Sequence, residues 1–243
     1  MNQKKCYEIK FHETDCLNRL KEPVLLNFLQ DIAAVNAEEN GFGYSKIQDK
    51  EIGWFLTKYH IKLFETLKNN GKIYIDTESK GSVRINCIRD FDIYNSEDKK
   101  IGEATSSWVL TDLETGKLVL PSDIFDNLPP ADKEHLRSNF PKVPMPARED
   151  FKQEFTARYN EIDVNRHVNN AVYLTWATEV LPIDLLLNTR MAEVEIQYKQ
   201  QVKYGEKVIV TAEYDQDNLI FTEAVKTENG EIACLIRQKR VNC

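Results

Sequence analysis

The sequence predicts an α+β protein built from two similar halves, each a long helix set against antiparallel strands. Three observations predict it. Six of the eight prolines fall between Pro121 and Pro146 and mark an extended linker near the middle of the chain. The stretch from Phe11 to Leu29 aligns with Arg158 to Trp176 at a constant offset of 147, laying Asn18-Arg19 on Asn165-Arg166. After each helical stretch come segments of alternating apolar and polar residues rich in β-branched and aromatic side chains, the pattern of half-buried strands.

The elements follow in order. The first helix covers Val24 to Ala34, with Pro23 just inside its start, where a missing N–H costs nothing. Strands are predicted over Trp54–Phe64, Lys72–Lys80, Arg84–Tyr94 and Ile101–Thr111, the last two separated by the polar turn from Asn95 to Lys100. After the linker come a strand over Gln153–Tyr159 and a helix over Ala171–Leu181. This second helix is apolar nearly all round, so it is buried on most sides. Its one charge, Glu179, is expected to have a partner on a strand or to serve as a second catalytic carboxylate. Four more strands are predicted over Ala192–Lys203, Glu206–Tyr214, Leu219–Lys226 and Glu231–Arg240, with Asn229-Gly230 as a hairpin turn.

Composition narrows the function. The chain has 243 residues, 42% hydrophobic and 29% charged, enough for one large domain or two small ones. A net charge of -7 speaks against a nucleic-acid protein. The five cysteines are odd in number and lack zinc-type spacing, so they are read as reduced thiols, with Cys87 and Cys234 on strands. No signal peptide or membrane span is recognisable, and a cytoplasmic location is expected. His12, His60, His135 and His167 show no metal spacing, and neither a G-x-S-x-G elbow nor a phosphate-binding glycine loop is present. No cofactor, metal or nucleic-acid partner is expected.

The chemistry is expected between Asp163 and Asn170. In an extended segment Asp163, Asn165 and His167 would share one face: a carboxylate, an amide and an imidazole. Asn169 or Asn170 would cap the following helix, whose free N–H groups can polarise a carbonyl oxygen. At the offset of 147, Asp163 falls on Cys16 and His167 on Leu20, so only the second half would carry chemistry.

These residues resemble a known family. The pattern D-x-N-x-H-V-N-N-x-x-Y-x-x-W-x-x-E is present in Asp163, Asn165, His167, Val168, Asn169, Asn170, Tyr173, Trp176 and Glu179. The first half adds Trp54 to Ile61 and Ile101 to Val109. Together they resemble the acyl-acyl carrier protein thioesterases. The resemblance implies a tandem (double) hot-dog fold: an N-terminal hot-dog over 1–120 that binds the acyl chain in an apolar tunnel, a linker over 121–150, and a catalytic C-terminal hot-dog over 151–243. It implies hydrolysis of acyl-acyl carrier protein to free fatty acid and holo-carrier protein, ending fatty-acid synthesis, by a bacterial-type member that is a monomer or homodimer. It assigns catalysis to Asp163, Asn165 and His167. The family's further Glu, with a neighbouring Cys, falls on Gln201 and Val202, so no thiol nucleophile stands there and Gln201 can hold but not deprotonate a water. General-base duty then rests on Asp163, the first candidate, or else on His167, which would otherwise orient the water or stabilise charge, with Asn169 and Asn170 at the oxyanion site. Lys199, Lys203, Lys207, Arg237, Lys239 and Arg240 are candidates for a basic rim facing the acidic carrier protein. An acyl-CoA thioesterase and a non-catalytic acyl-binding module are the alternatives.

Overall fold

The computed structural model describes residues 2–68, 71–126, 128, 131 and 137–243. In chain order the strands are β1 (Gln3–Glu8), β2 (Ile52–Leu63), β3 (Lys72–Val83), β4 (Asn86–Tyr94), β5 (Lys100–Asp112), β6 (Leu118–Val119), β7 (Phe151–Thr156), β8 (Thr189–Tyr198), β9 (Lys207–Asp215), β10 (Ile220–Thr227) and β11 (Ile232–Asn242). The helices are α1 (Glu22–Glu39), α2 (Asn170–Glu179) and α3 (Ile183–Asn188). All strands join one sheet in the order β1-β3-β4-β5-β2-β8-β11-β10-β9-β7, with β6 on the side of β5. The halves meet where β2 and β8 pair antiparallel, from Lys58 opposite Gln197 to Lys62 opposite Glu193. The α+β duplication is therefore realised as two half-sheets fused edge to edge. Neither half keeps an open edge at the join.

Alternation along the strands gives the sheet two faces. On the helix side, Leu25, Leu26, Leu29 and Ile32 of α1 are buried with Tyr59, Ile61, Ile75, Phe91 and Ile93. Beside them Tyr173, Leu174, Trp176 and Ala177 of α2 are buried with Val194, Ile196, Val210, Phe221 and Ile236. The short helix α3 was not expected from sequence, while β1 is the short strand that opens the first half, as β7 opens the second. Conversely β8 stops at Tyr198, short of the predicted Lys203. The N–H groups of Lys199 and Gln200 both donate to the Ala233 carbonyl, which turns the chain out of the ladder. Gln201 is thus an exposed loop residue, not a strand residue.

The other face carries the linker as a strap. Arg137 donates to the Phe91 carbonyl and pairs with Asp92 on β4. Ser138 bonds His60 on β2, and Phe140 lies under the Lys58 ammonium. The Pro141 carbonyl accepts from Gln197 on β8. Val143 is buried against Ala224 and Leu235, and the Ala147 N–H reaches Glu213 on β9. The strap crosses both half-sheets. The start of the expected linker is not extended: Pro121–Asp123 is a 3-10 turn, and Phe125 stacks on Trp54 with ring centres 5.7 Å apart. Pro129 and Pro130 lie outside the described residues.

One row across the helix-side face runs from Arg89 on β4 through Ser106 and Tyr59 to Ile196, Ile236 and Glu223 on β10. Its ends are buried ionisable groups in matching positions of the two halves. Arg89 bonds Asn36 of α1 and Thr77, and burial lowers its pKa to about 10. Glu223 accepts from Gln238 at 3.0 Å, and burial pushes its pKa up to about 8, against the pull of Gln238 and Arg240. Because the folded state holds this proton more tightly than the unfolded chain, Glu223 costs stability as pH rises from about 4.5 to about 8. Glu223→Gln removes that cost. Thermal unfolding against pH is expected to show the variant gaining on wild type across this window, by at most about 1.4 kcal/mol per pH unit. Parallel curves for the two proteins would refute it.

Candidate active site

The segment before α2 is a tight turn, where sequence suggested an extended strand. The reason is local. Asp163 Oδ1 accepts the Asn165 N–H at 2.8 Å, the bond by which Asp folds the chain two residues on. The Asp163 N–H donates to the His167 carbonyl at 2.8 Å, and Arg166 takes φ 63° to close the turn. Asp163, Asn165 and His167 therefore do not form one flat polar face. Val164, Asn165 and Arg166 ride the exposed outer side, Val164 at 95% exposure, while Asp163 and His167 sit at the half-buried base. His167 pairs with Lys203, and the Val168 N–H donates to Val202 at 2.8 Å. That register brings the loop after β8, with Gln201, to the level of Asn169.

Asn169 is the cap of α2, its side chain accepting the Ala171 N–H at 2.8 Å. Its own N–H is spent on the Glu161 carbonyl. Of the two asparagines expected at the oxyanion site, Asn170 is the one whose N–H has no backbone acceptor among the described residues. Asn170 also reaches into the first half: its side-chain amide donates to Gln30 Oε1 of α1 at 3.2 Å. Sequence gave no signal for Gln30, since nothing local marks a contact across the halves.

His167 Nδ1 is buried without a hydrogen-bond partner. Burial holds the imidazole below its ordinary pKa, opposed by the Asp163 carboxylate and reinforced by the Lys203 ammonium. The ring is therefore neutral at neutral pH.

The turn and its hydrogen bonds recur in the first half at an offset of 148, one residue from the sequence alignment. Asp15 takes the place of Asp163: its Oδ1 accepts from Leu17 and its N–H donates to Arg19, with Asn18 at φ 63°. Arg19 then stands for His167, Lys21 for Asn169 and Glu22 for Asn170. The first half keeps the Asp and the turn, where sequence had placed Cys16, and lacks the imidazole, where sequence had placed Leu20. Arg19 is instead ion-paired to Asp15 at 2.7 Å and donates to the Leu186 and Thr189 carbonyls. Pro23, with no N–H, occupies the start of α1, and Glu22 pairs with Arg240.

Three other expectations change. Glu179 is exposed at the end of α2, so it is not a buried charge needing a strand partner. Arg240 is 2% exposed, bonded to Thr189, Gln238 and Glu22, and Arg237 pairs with Glu195 at 3.5 Å, so neither belongs to a rim at the site. Lys199 and Lys203 remain exposed on the loop beside His167, while Lys207 pairs with Glu154. Away from the site, His60, Glu193 and Glu195 lie close enough to hold a metal ion. Ser138 and Glu193 already bond both nitrogens of His60, and Lys62 and Arg237 offset the carboxylates.

The electrostatics make a signed prediction. An NMR titration is expected to place His167 below the free imidazole value of about 6.5. Asp163→Asn removes a charge that favours imidazolium and should lower the midpoint further. Lys203→Gln removes one that opposes it and should raise the midpoint. Shifts in the same direction would refute the assignment.

Comparison with known proteins identifies the family. The family model described as Acyl-ACP thioesterase N-terminal domain matches residues 1–128, and the Acyl-ACP thioesterase C-terminal domain matches residues 145–239. An oleoyl-acyl carrier protein thioesterase of Coriandrum sativum is 25% identical over 94% of this chain and 66% of its own length. An acyl-[acyl-carrier-protein] hydrolase of Cuphea viscosissima is 25% identical over 80% of this chain and 49% of its own. The chain thus spans about half to two thirds of the curated relatives it matches. The crystal structure of an acyl-ACP thioesterase from Bacteroides thetaiotaomicron superposes with TM-score 0.88 at 25% identity, covering 99% of this chain and 98% of that one. A 12:0-ACP thioesterase from Umbellularia californica shares the fold, with TM-score 0.84 at 17% identity over 100% of this chain and 98% of that one. With the two models matching most of its length, the chain belongs to the acyl-ACP thioesterase family.

Proposed function

We propose that the protein hydrolyses the thioester of acyl-acyl carrier protein, releasing free fatty acid and holo-carrier protein. The observation that carries this reading is the neutral His167, held by the Asp163 turn beside the start of α2, where the Asn170 N–H is unspent. The activities named for the relatives support it.

In this reading His167 takes a proton from water as its oxygen bonds the thioester carbon. Asn170 N–H and the α2 dipole hold the developing oxyanion. The C–S bond then breaks, and His167 returns the proton to the leaving sulfur. The charge of Asp163 raises the basicity of His167, while its Oδ1 is spent on closing the turn. In this reading Gln201 orients the water or the acyl carbonyl, while Asn165, on the exposed side of the turn, serves through the N–H that Asp163 accepts. A cysteine nucleophile has no support: Val202 stands at the family position, and burial pushes Cys87 up to about 12 and Cys234 well above its ordinary value.

The division of labour follows the retained and lost groups. We assign chemistry to residues 151–243, acyl-chain binding to residues 1–120 and strapping to 121–150. Lys199 and Lys203 are the cations placed to meet an acidic carrier protein. Among the described residues no helix is long and apolar enough to cross a membrane, and a cytoplasmic monomer or homodimer is the form we propose.

The test is thiol release from a panel of acyl-carrier-protein thioesters, run beside the matching acyl-CoAs. Wild type is expected to turn over the carrier-protein substrates faster. His167→Ala should lose about 10²- to 10⁴-fold in rate, the usual worth of a general base. Preference for CoA would reassign the substrate. Tight acyl binding with no release above buffer hydrolysis would leave an acyl-binding module instead.

A further inference from the structure

We infer that Tyr173 and Tyr198 are positioning residues that hold the two sides of the active site in register, a conclusion resting on the placement of the chemistry at His167 and Gln201. Tyr173, on α2, is 3% exposed. Its hydroxyl accepts the Val202 N–H at 3.1 Å and faces the Gln200 carbonyl as donor at 3.4 Å. One phenol thus grips the backbone on both sides of Gln201. Gln201, between the two gripped residues, is exposed. The Tyr198 hydroxyl donates to the Asn170 carbonyl at 2.9 Å, fixing the first residue of α2 to the end of β8. The two rings meet edge to face, with centres 5.6 Å apart. The helix start that would hold the oxyanion and the loop that carries Gln201 are therefore tied by two crossed hydroxyl contacts.

The duplicated half provides an internal control. The Leu20 N–H donates to Leu67 as Val168 does to Val202, and Arg19 pairs with Lys68 as His167 does with Lys203. In that register Tyr173 corresponds to Leu25, Tyr198 to Leu63 and Gln201 to Thr66. The turn-forming Asp15 and Glu13 are kept in the first half, so they serve the fold. Both tyrosine hydroxyls are absent where the imidazole is absent. A cleft opens there, lined by Leu25, Leu63, Thr66 and Leu67 among others. The hydroxyls thus travel with the reactive groups and not with the framework.

The experiment is a double-mutant cycle on acyl-carrier-protein hydrolysis, with amide hydrogen exchange as a readout independent of turnover. Tyr173→Phe is expected to lower kcat by about 10- to 100-fold, the cost of a catalytic group set loose by about an ångström, with KM nearly unchanged. In a Gln201→Ala background the same substitution should cost less than about threefold, because coupled residues are not additive. The Val202 amide should exchange at least about tenfold faster in Tyr173→Phe, since a lost hydrogen bond opens the loop locally, while the amides of β8 and β11 keep their protection. Equal loss of kcat in both backgrounds would overturn the inference. So would full kcat in Tyr173→Phe with Val202 exchange raised. Should Tyr173→Phe not fold, Tyr198→Phe decides: lowered kcat with KM kept supports the inference, and wild-type kcat overturns it. A wild type that releases no thiol refutes the proposed hydrolysis, and the exchange arm still reports whether Tyr173 grips the loop.

Discussion

The pairing of β2 with β8 is the constraint on which the rest depends. From Lys58–Gln197 to Lys62–Glu193 it fuses two half-sheets into one, so that α1 and α2 share a single floor. Tyr59, Ile61, Val194 and Ile196 on the helix side of this seam are at most 1% exposed. Burial of that kind is worth about 1.5–3 kcal/mol per large apolar side chain. On the opposite side the seam is covered by the strap from Arg137 to Ala147, which touches strands of both halves. Other ties depend on the same placement. Arg19 donates to carbonyls at Leu186 and Thr189, Arg240 reaches Glu22, and Asn170 reaches Gln30. None of these residues is near its partner in the chain.

Duplication explains how one half can specialise. Both copies need the turn that feeds their helix, and both keep an Asp that closes it. Once that requirement is met, the position after the turn is free to diverge. In the first half it became Arg19, which serves as a cross-half anchor. In the second it is His167, whose imidazole burial keeps unprotonated and whose Nδ1 is unspent. The helix starts diverged in the same sense. Glu22 and Pro23 close one to an anion, while Asn169 and Asn170 leave a donor at the other.

Much of the fold was legible because it rests on local periodicity. The alternation in β2 to β5 and β8 to β11, the all-apolar character of α2 and the Asn229-Gly230 turn each follow from short-range chemistry. The Asp163–Asn170 motif was legible for the same reason. Its geometry was not. Period-2 reasoning placed Asp163, Asn165 and His167 on one face, but an Asp that captures the N–H two residues on folds the chain and splits the set. The alignment of the halves slipped by one residue because Asn-Arg is a weak marker. Hydrogen bonds, not side-chain identity, define the equivalence of Asp15 with Asp163. Gln201 was read as a strand residue because the sequence cannot show that Ala233 draws two N–H groups and ends the ladder.

By itself, then, the sequence determined the main strands, the two long helices, the duplication and the helix cap at Asn169, since each is written in spacing of a few residues. Tertiary structure alone decided which strands meet at the seam, that Glu179 faces solvent, that Arg240 is buried, and that Gln30, Tyr173 and Tyr198 bond to the start of α2 and the loop after β8. Those outcomes depend on contacts between segments far apart in the chain, whose energies exist only once the two half-sheets have closed into one.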